Sequence, residues 1–551
     1  MSENGNAMTK VKFNWRFCLC CGIFIWFIID LLQGIFTEIH EDEAYYALFG
    51  EHLAWGYLDH PPMVALMTFL SSQLFSSTLG VRFCTIIMSC FTLLILWHLV
   101  DESKPDKNKV LLFFVLTSSI LIVNLYGFVT TPDAALLLFS ALFLLVYQRY
   151  LNDNSWKNAL LMGLLMALMV YSKYHAFLLL GLIVLSNLKL LKDGKFYVAC
   201  LLALVVLTPH ILWQINADFP SFRYHLSGRN EPFRWSYFLE YLPNQLLVFN
   251  PFVFGAVVYV LVKHKAKDCF EHGLKFILIG FFAFFWLMTF RGHVEPHWTA
   301  VGTISVVVLL YRKALVDNKL MKYIKWVVAP SLLLVVAMRI ALLTPIAASF
   351  GFCQDRPHYE TIASEAGNCP VVFRGSFQQP ALYHYFSGNE SSTLCCYYDR
   401  KTQYDLWQFD TAWIGQPVYV DGNGMTEYFH TANRLVTEFQ IVNEDEKQPM
   451  VFCNNDTIRM NFSIYNPCPQ AIDFQEGMML KLLLLEDNQV RYGHYDSIGM
   501  LQPKETYRGR FSVVLGSETR LGNNHLLLGI GDKISIFADT KNAVNVVVEA
   551  P

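Results

Sequence analysis

The chain has 551 residues and a formal net charge of −3, with 54% hydrophobic, 15% aromatic and only 16% charged residues. Soluble domains average about a quarter charged residues, so a wholly soluble enzyme is excluded, and no nucleic-acid partner is expected. The sequence has no internal repeat, P-loop or Gly-rich nucleotide fingerprint, which argues against a cytosolic nucleotide as direct substrate.

The first apolar run, 17–36, matches the roughly 20 residues that cross a bilayer as a helix. It lacks a small-residue cleavage site and reads as a retained span. Residues 38–62, EIHEDEAYYALFGEHLAWGYLDHPP, follow it, with Glu38, Glu41, Asp42, Glu43, Glu51 and Asp59 and no Lys or Arg. Uncompensated carboxylates beside a membrane point to a site that needs negative charge or a base. Residues 61–75 are too short and interrupted for a crossing and predict a helix lying at the membrane surface. Further crossings are predicted near 82–100, 110–127, 133–150, 158–172, 175–191, 197–214, 241–262, 275–291, 298–312 and 326–344, about eleven in all.

Orientation follows from the cations. With the N-terminus inside, the inner loops carry most of them, including Lys104, Lys107 and Lys109, Lys189, Lys192 and Lys195, and the run Arg312, Lys313, Lys319, Lys322 and Lys325. Outer loops hold few: Lys173, Arg223, Arg229, Arg234 and Arg291, with Arg82 at a span edge. This is the positive-inside bias, and an odd span count puts everything after residue 345 outside. The tail reads as a small α/β subdomain (346–432) followed by a β-sandwich-like domain (433–551), because alternating stretches such as RMNFSIYN and RGRFSVVLG are separated by turn residues. Its six cysteines, Cys353, Cys369, Cys395, Cys396, Cys453 and Cys468, permit disulfides in an oxidising compartment. No CxxC pair has zinc spacing, and His40, His52, His293 and His297 have no diagnostic metal spacing, so neither a metal nor a cofactor is expected.

The polar groups at span ends gather on one side. Asp133 sits in TTPD, Lys173, Tyr174 and His175 in SKYHAF, and His210, Trp213, Gln214, Asp218, Arg223 and His225 in PHILWQINADFPSFRYHL. Arg291, His293, Glu295 and His297 lie in RGHVEPHW. All fall on the face of the carboxylate loop, as expected of an active site floored by membrane, since ionisable groups near spans tend to mark function. A transporter would instead place its ionisable groups at mid-membrane, and the span interiors read as nearly charge-free.

DEAYYALFGEHLAWGYLDHPP, TPDA, SKYHAF, PHILWQINADFPSFRYHL and VEPHW, in this order and between spans, resemble the bacterial dolichyl-phosphate-mannose protein mannosyltransferase-like family. These are GT-C-fold glycosyltransferases, with lipid A aminoarabinose transferase a more distant relative, and the resemblance covers roughly residues 15–345. It implies a polytopic α-helical GT-C fold in the bacterial inner membrane, a periplasmic tail, a polyprenyl-phosphate-linked sugar donor, and inverting transfer to a hydroxyl of an envelope glycan, lipid A or protein. By the same resemblance Asp42 matches the general base and Glu43 its neighbour. Asp133 matches the second carboxylate, which holds the acceptor or a cation, and Tyr57 and His60 match positions that approach the donor phosphate. Two positions depart from the aminoarabinose transferase pattern: His60 stands for its Lys, and Tyr45 for an Arg. Phosphate binding then falls to Lys173, Arg82, Arg223 or Arg291, with Tyr174, Glu295 and His297 completing the donor site. A polytopic transporter and a non-catalytic membrane scaffold for envelope glycan assembly are the competing classes.

Overall fold

Backbone polar groups within a bilayer must be satisfied inside the protein, which leaves helices as the natural form for the apolar segments. The computed structural model describes residues 14–393 apart from 101 and 229–232. From 401 to 550 it describes all but 414–415, 423, 427–435, 443–449, 468–470, 475–478, 485–488, 493, 496–497, 518, 520, 532–535 and 539–543. The chain divides into two units, Met1–Gln354 and Asp355–Pro551.

In the first unit six helical stretches are long and apolar enough to cross a membrane. They are α1 (Trp15–Phe36), α4 (Ser77–Leu99), α7 (Pro132–Asn152), α10 (Gly194–Asn216), α14 (Cys269–Met288) and the stretch Asn318–Ala341, which ends in α17 (Leu332–Ala341). A seventh is counted if α12 (Trp235–Phe249) and α13 (Pro251–Lys263), bent by 101°, form one span. The remaining expected spans are present as shorter pieces: α5 (Lys107–Ser118) with α6 (Leu121–Leu125), α8 (Trp156–Ser172), α9 (Ala176–Ser186) and α15 (Gly302–Ala314). Among the described residues six or seven helical stretches are therefore long and apolar enough to cross, and the figure of about eleven does not follow from helix length.

Two asparagines account for the interruptions. The Asn124 amide donates to the Ser118 and Ile120 carbonyls at 2.8 and 2.9 Å, satisfying acceptors released where α5 ends. Asn250, buried and at φ 69°, accepts from Phe252 N and donates to Ser119 O and Ser331 Oγ, holding the corner between α12 and α13. Helices α7 and α15 sit deepest, with Phe143, Leu144, Tyr147, Val307 and Val308 fully buried. Helices α1 and α10 carry exposed apolar side chains, among them Phe24, Ile25, Leu201 and Leu204, suited to lipid tails.

Two short helices follow α1. Helix α2 (Glu41–Glu51) lies in the carboxylate loop, and α3 (Met63–Ser72) covers most of the segment expected at the membrane surface. Along α3, Met63, Val64, Met67 and Ser71 are buried while Leu66 and Leu70 are exposed, so only one face packs against the protein. The span interiors are less free of charge than the sequence suggested. Asp30 of α1 and Arg339 of α17 are joined at 2.7 Å, with the carboxylate fully buried.

The second unit begins with helices Arg356–Ala366 and Gln378–Ser387 beside a sheet of β1 (Val371–Phe373), β2 (Ser391–Thr393), β3 (Val418–Val420) and β4 (Gly424–Thr426), in the order β2-β1-β3-β4. The β1 pairings are parallel, as a helix crossover between strands requires. Two antiparallel-rich sheets follow. One contains Thr457–Tyr465 paired with Thr506–Val514, and the other Met479–Leu484, Gly522–Gly531 and Val544–Glu549. Ile458, Met460, Phe462 and Ile464 alternate inward from the first sheet and share a core with Leu526, Leu528, Val546 and Val548 of the second, the pattern of a sandwich. Of the six tail cysteines, Cys369 and Cys453 are unpaired in the structure, and Cys395, Cys396 and Cys468 lie outside the described residues.

Helices α8 and α10 approach so closely that a Cβ on Gly163 would lie 2.5 Å from the Ala199 carbonyl oxygen. Gly163→Leu is expected to cost about 1–3 kcal/mol by overpacking, read as a lower thermal midpoint in detergent. An unchanged midpoint would show that the two helices are not in contact.

Candidate active site

The carboxylate loop owes its shape to the way α2 begins. His40 caps the helix, its Nδ1 accepting from Asp42 N at 3.1 Å, while the Glu43 carboxylate accepts from His40 N at 3.0 Å. Glu41, Asp42 and Glu43 fill the first turn, where the helix dipole favours negative charge. Glu43 is fully buried and accepts from Arg82 Nε and Nη2 and, at 2.8 Å, from the backbone N–H of Thr130. Arg82 also donates through Nη1 to Gly34 O and Thr37 O, and through Nη2 to Glu38 O. Every N–H of this guanidinium is thereby engaged, and its plane lies 5.6 Å from the Phe128 ring centre.

That arrangement corrects two expectations. Arg82, expected at the donor phosphate, is fully buried and bound to protein acceptors throughout. Glu43, expected beside the base as a catalytic group, faces Arg82 and Thr130. The pair is a frame that ties the acidic loop, α4 and the turn before Asp133 together. Tyr57 is a third correction: it is fully buried, stacked on Phe49 at 4.1 Å, and its hydroxyl donates to Phe49 O and His52 O while accepting from Ala54 N. It closes its own loop.

Beyond this frame lie the groups left for chemistry. Asp133, just after Pro132 at the start of α7, does not cap that helix. Its Oδ2 accepts from Lys173 Nζ at 2.6 Å and lies 3.8 Å from His297 Nε2, while its buried Oδ1 has no protein partner. Asp42, half-buried, joins the same region through two tyrosines. Burial, then the charges of Asp42, Asp59 and Asp133, hold the Tyr46 hydroxyl well above the ordinary tyrosine range, so it stays a neutral phenol. It is hydrogen-bonded to His60 Nε2 at 3.1 Å. Tyr126 lies in the fields of Asp133, Asp42 and Glu295, with its ring 5.7 Å from that of His297. Contacts thus join Asp133 to Lys173 and His297, Tyr46 to His60 and Tyr126 to His297, and the charges of Asp42 and Glu295 reach Tyr126. Glu41 is held above the usual carboxylate range by burial first and then by its neighbour Asp42.

Tyr174 contributes through a relay. Its hydroxyl meets His210 Nε2 at 3.1 Å and accepts from Gln214 Nε2 at 3.0 Å, and the same Gln214 nitrogen donates to Ser221 Oγ, which donates to Tyr57 O. His210 Nδ1 is 2.6 Å from Trp55 O. The SKYHAF turn is fastened to the aromatic loop in this way. Arg223 and Arg291 sit further out: Arg223 is largely exposed and paired with Asp218, and Arg291 donates to Leu226 O at 3.1 Å. The sequence placed His175, His210 and Gln214 in its outward polar clusters and Tyr46 in the acidic loop without giving them a role, and it passed over Tyr126. Tyr126 carried no signal, since it reads as part of an apolar span; the others stood in the polar stretches already noted. His175, half-buried between Phe285 and Trp298, has an Nδ1 with no protein partner, and Thr131 Oγ1 and Gln214 Oε1 likewise have none. Among the described residues no group of three His, Cys, Asp or Glu is arranged to hold a metal ion.

A family profile described as dolichyl-phosphate-mannose-protein mannosyltransferase matches residues 59–213. ArnT from Cupriavidus metallidurans in its apo state is similar in structure, with a TM-score of 0.55 at 12% identity over 74% of this chain and 92% of that chain. The same protein bound to undecaprenyl phosphate gives a TM-score of 0.54 at 13% identity, over 73% and 92% of the two chains. None of the curated proteins matches in sequence. The likeness to ArnT establishes a shared fold.

Arg82→Met leaves Glu43 buried without its counter-charge and is expected to cost about 3–5 kcal/mol of stability, measured as the thermal midpoint of the purified protein. Were Arg82 a ligand-facing cation, the midpoint would hold and only ligand affinity would fall.

Proposed function

We infer from the profile match over residues 59–213 and the ArnT-like fold that this chain is a multi-pass membrane glycosyltransferase of the dolichyl-phosphate-mannose-protein mannosyltransferase-like, GT-C kind. It transfers a sugar from a polyprenyl-phosphate-linked donor to a hydroxyl acceptor (an envelope glycan, lipid A or a protein) on the outer face of the bacterial inner membrane, with the second unit in the periplasm. The observation that carries this reading is the placing of Asp133 against Lys173 at 2.6 Å and His297 at 3.8 Å, with Asp42 near enough for its charge to act, like that of Asp133, on Tyr46 and Tyr126. The complex of the similar ArnT with undecaprenyl phosphate supports a lipid phosphate as the donor's leaving group.

The chemistry assigns roles by charge. As the acceptor oxygen attacks the anomeric carbon, the bond from that carbon to the phosphate oxygen breaks and its electron pair stays on the phosphate. A cation stabilises that charge, and Lys173 stands in the site beside Asp133 to do so. Asp42 takes the acceptor's hydroxyl proton, an effect worth roughly 10²–10⁴-fold in rate. One displacement inverts the anomeric carbon. The open atoms Thr131 Oγ1, Asp133 Oδ1, His175 Nδ1 and Gln214 Oε1 suit a ligand rich in hydroxyl groups, since a buried polar atom left unpaired is costly. His60, Glu295 and His297 border the same space, and Arg223 and Arg291 lie towards its outer side.

Purified protein in detergent, offered a panel of undecaprenyl-phosphate sugars and envelope glycolipid acceptors, is expected to release undecaprenyl phosphate from at least one donor. Asp42→Asn should lower that release by about 10²-fold or more with an unchanged thermal midpoint. Full activity in Asp42→Asn would remove Asp42 from the base role. No release from any donor would remove the transferase reading.

A further inference from the structure

The chain returns to its own first loop after the last helix. Beyond α17, residues Pro345–Phe350 form a short 3₁₀ helix that ends at Gly351, with φ +81°. The next residues run antiparallel to the start of the acidic loop: Glu41 N donates to Gly351 O at 2.9 Å, and Cys353 N donates to Ile39 O at 2.8 Å. Phe352, 2% exposed, meets the His40 ring edge-on at 5.1 Å and shares one apolar cluster with Ile86, Phe128, Val129, Leu342 and Ala347. One short segment therefore grips the residues just before Asp42 by backbone hydrogen bonds, and joins by packing the turn that leads into Thr130 and Asp133.

The same segment is anchored from below. Arg339, on α17, donates to Asp30 Oδ1 at 2.7 Å and to the carbonyl and side-chain oxygens of Asn124, while its own carbonyl accepts from Gln33 Nε2. Its guanidinium and that of Arg82 both lie against Phe128, at 5.8 and 5.6 Å. An intramembrane ion pair is costly to bury and calls for a function. Here it fixes α17 against α1 and α6, within a few residues of the strap on one side and of Tyr126 on the other.

We propose that residues 345–353 are a positioning strap for the two carboxylates, with Gly351 and Phe352 as its positioning residues and the Asp30–Arg339 pair as its anchor. The strap touches no reacting atom. It sets the distance between Asp42 and Asp133 by holding Ile39–Glu41 and the Phe128–Val129 turn together, and its catalytic consequence rests on the transferase reading above. Gly351 is required there on two counts: its backbone lies in the left-handed region, and a Cβ would come within 2.7 Å of His40 Nε2, the ring that caps α2. Residue 354 leads directly into the second unit, so this is also the segment through which the chain passes from one unit to the other.

The test uses full-length protein in nanodiscs, wild type beside Gly351→Val, Phe352→Ala and Phe352→Leu, with two readouts. In Gly351→Val and Phe352→Ala, amide exchange over residues 38–46 should accelerate by about tenfold or more, while α7 and α15 keep their protection. Release of undecaprenyl phosphate from the best donor of the panel should lose about tenfold or more in kcat with KM within about twofold, since misplacement by about an ångström suffices for such losses. Phe352→Leu, which keeps the apolar bulk, should restore both. Unaltered exchange over 38–46, or faster exchange with unaltered kcat, overturns the proposal. If the wild type turns over no donor, the transferase reading falls, and the exchange arm alone decides whether the strap holds the loop.

Discussion

The site depends on a salt bridge that does no chemistry. Arg82 and Glu43 are both removed from solvent, and an ion pair in that position is tolerated only when its remaining hydrogen-bonding capacity is met. It is met here by the carbonyls of Gly34, Thr37 and Glu38 on one side and the N–H groups of His40 and Thr130 on the other. Because these partners come from the end of α1, the start of α2 and the approach to α7, satisfying one guanidinium fixes three chain segments at once. Asp42 is then carried beside the frame on the first turn of α2, and Asp133 three residues past Thr130.

This division of labour explains the composition of the acidic loop. Of the three consecutive acids, one serves the fold and one faces the site. Glu43 is bound to Arg82, while the charge of Asp42 acts on Tyr46 together with that of Asp133. Lys173 balances Asp133 at 2.6 Å, which puts a cation and a carboxylate side by side, as the proposed transfer requires. In the proposed reaction an attacking hydroxyl needs a base and a departing phosphate a cation, so both signs of charge are wanted within one small volume.

Much of this was legible in the sequence, because polar residues stand out against an apolar chain. The loop with Asp42, the TPD turn, SKYHAF and VEPHW were each visible as interruptions, and the structure links Asp133 of the TPD turn to Lys173 and His297 of the last two. What could not be read was how side chains are spent. Arg82 looked like a cation at a span edge because its partner, Glu43, lies far off in sequence, and Tyr57 looked like a ligand residue because nothing local reveals a hydroxyl closing its own loop. Similarly, the break between α5 and α6 depends on Asn124 and Asn250 meeting carbonyls near Ser119, a tertiary effect absent from hydropathy. Tyr126 lay hidden for the same reason.

The central claim, a single outward pocket in which both carboxylates face a lipid-borne phosphate, is tested most directly by an experimental structure of the protein bound to undecaprenyl phosphate in a lipid nanodisc. The expected result is the phosphate within hydrogen-bonding reach of Lys173, with Asp42 across the position an anomeric carbon would take. A phosphate bound elsewhere, or Asp42 and Asp133 opening to different compartments, would contradict it.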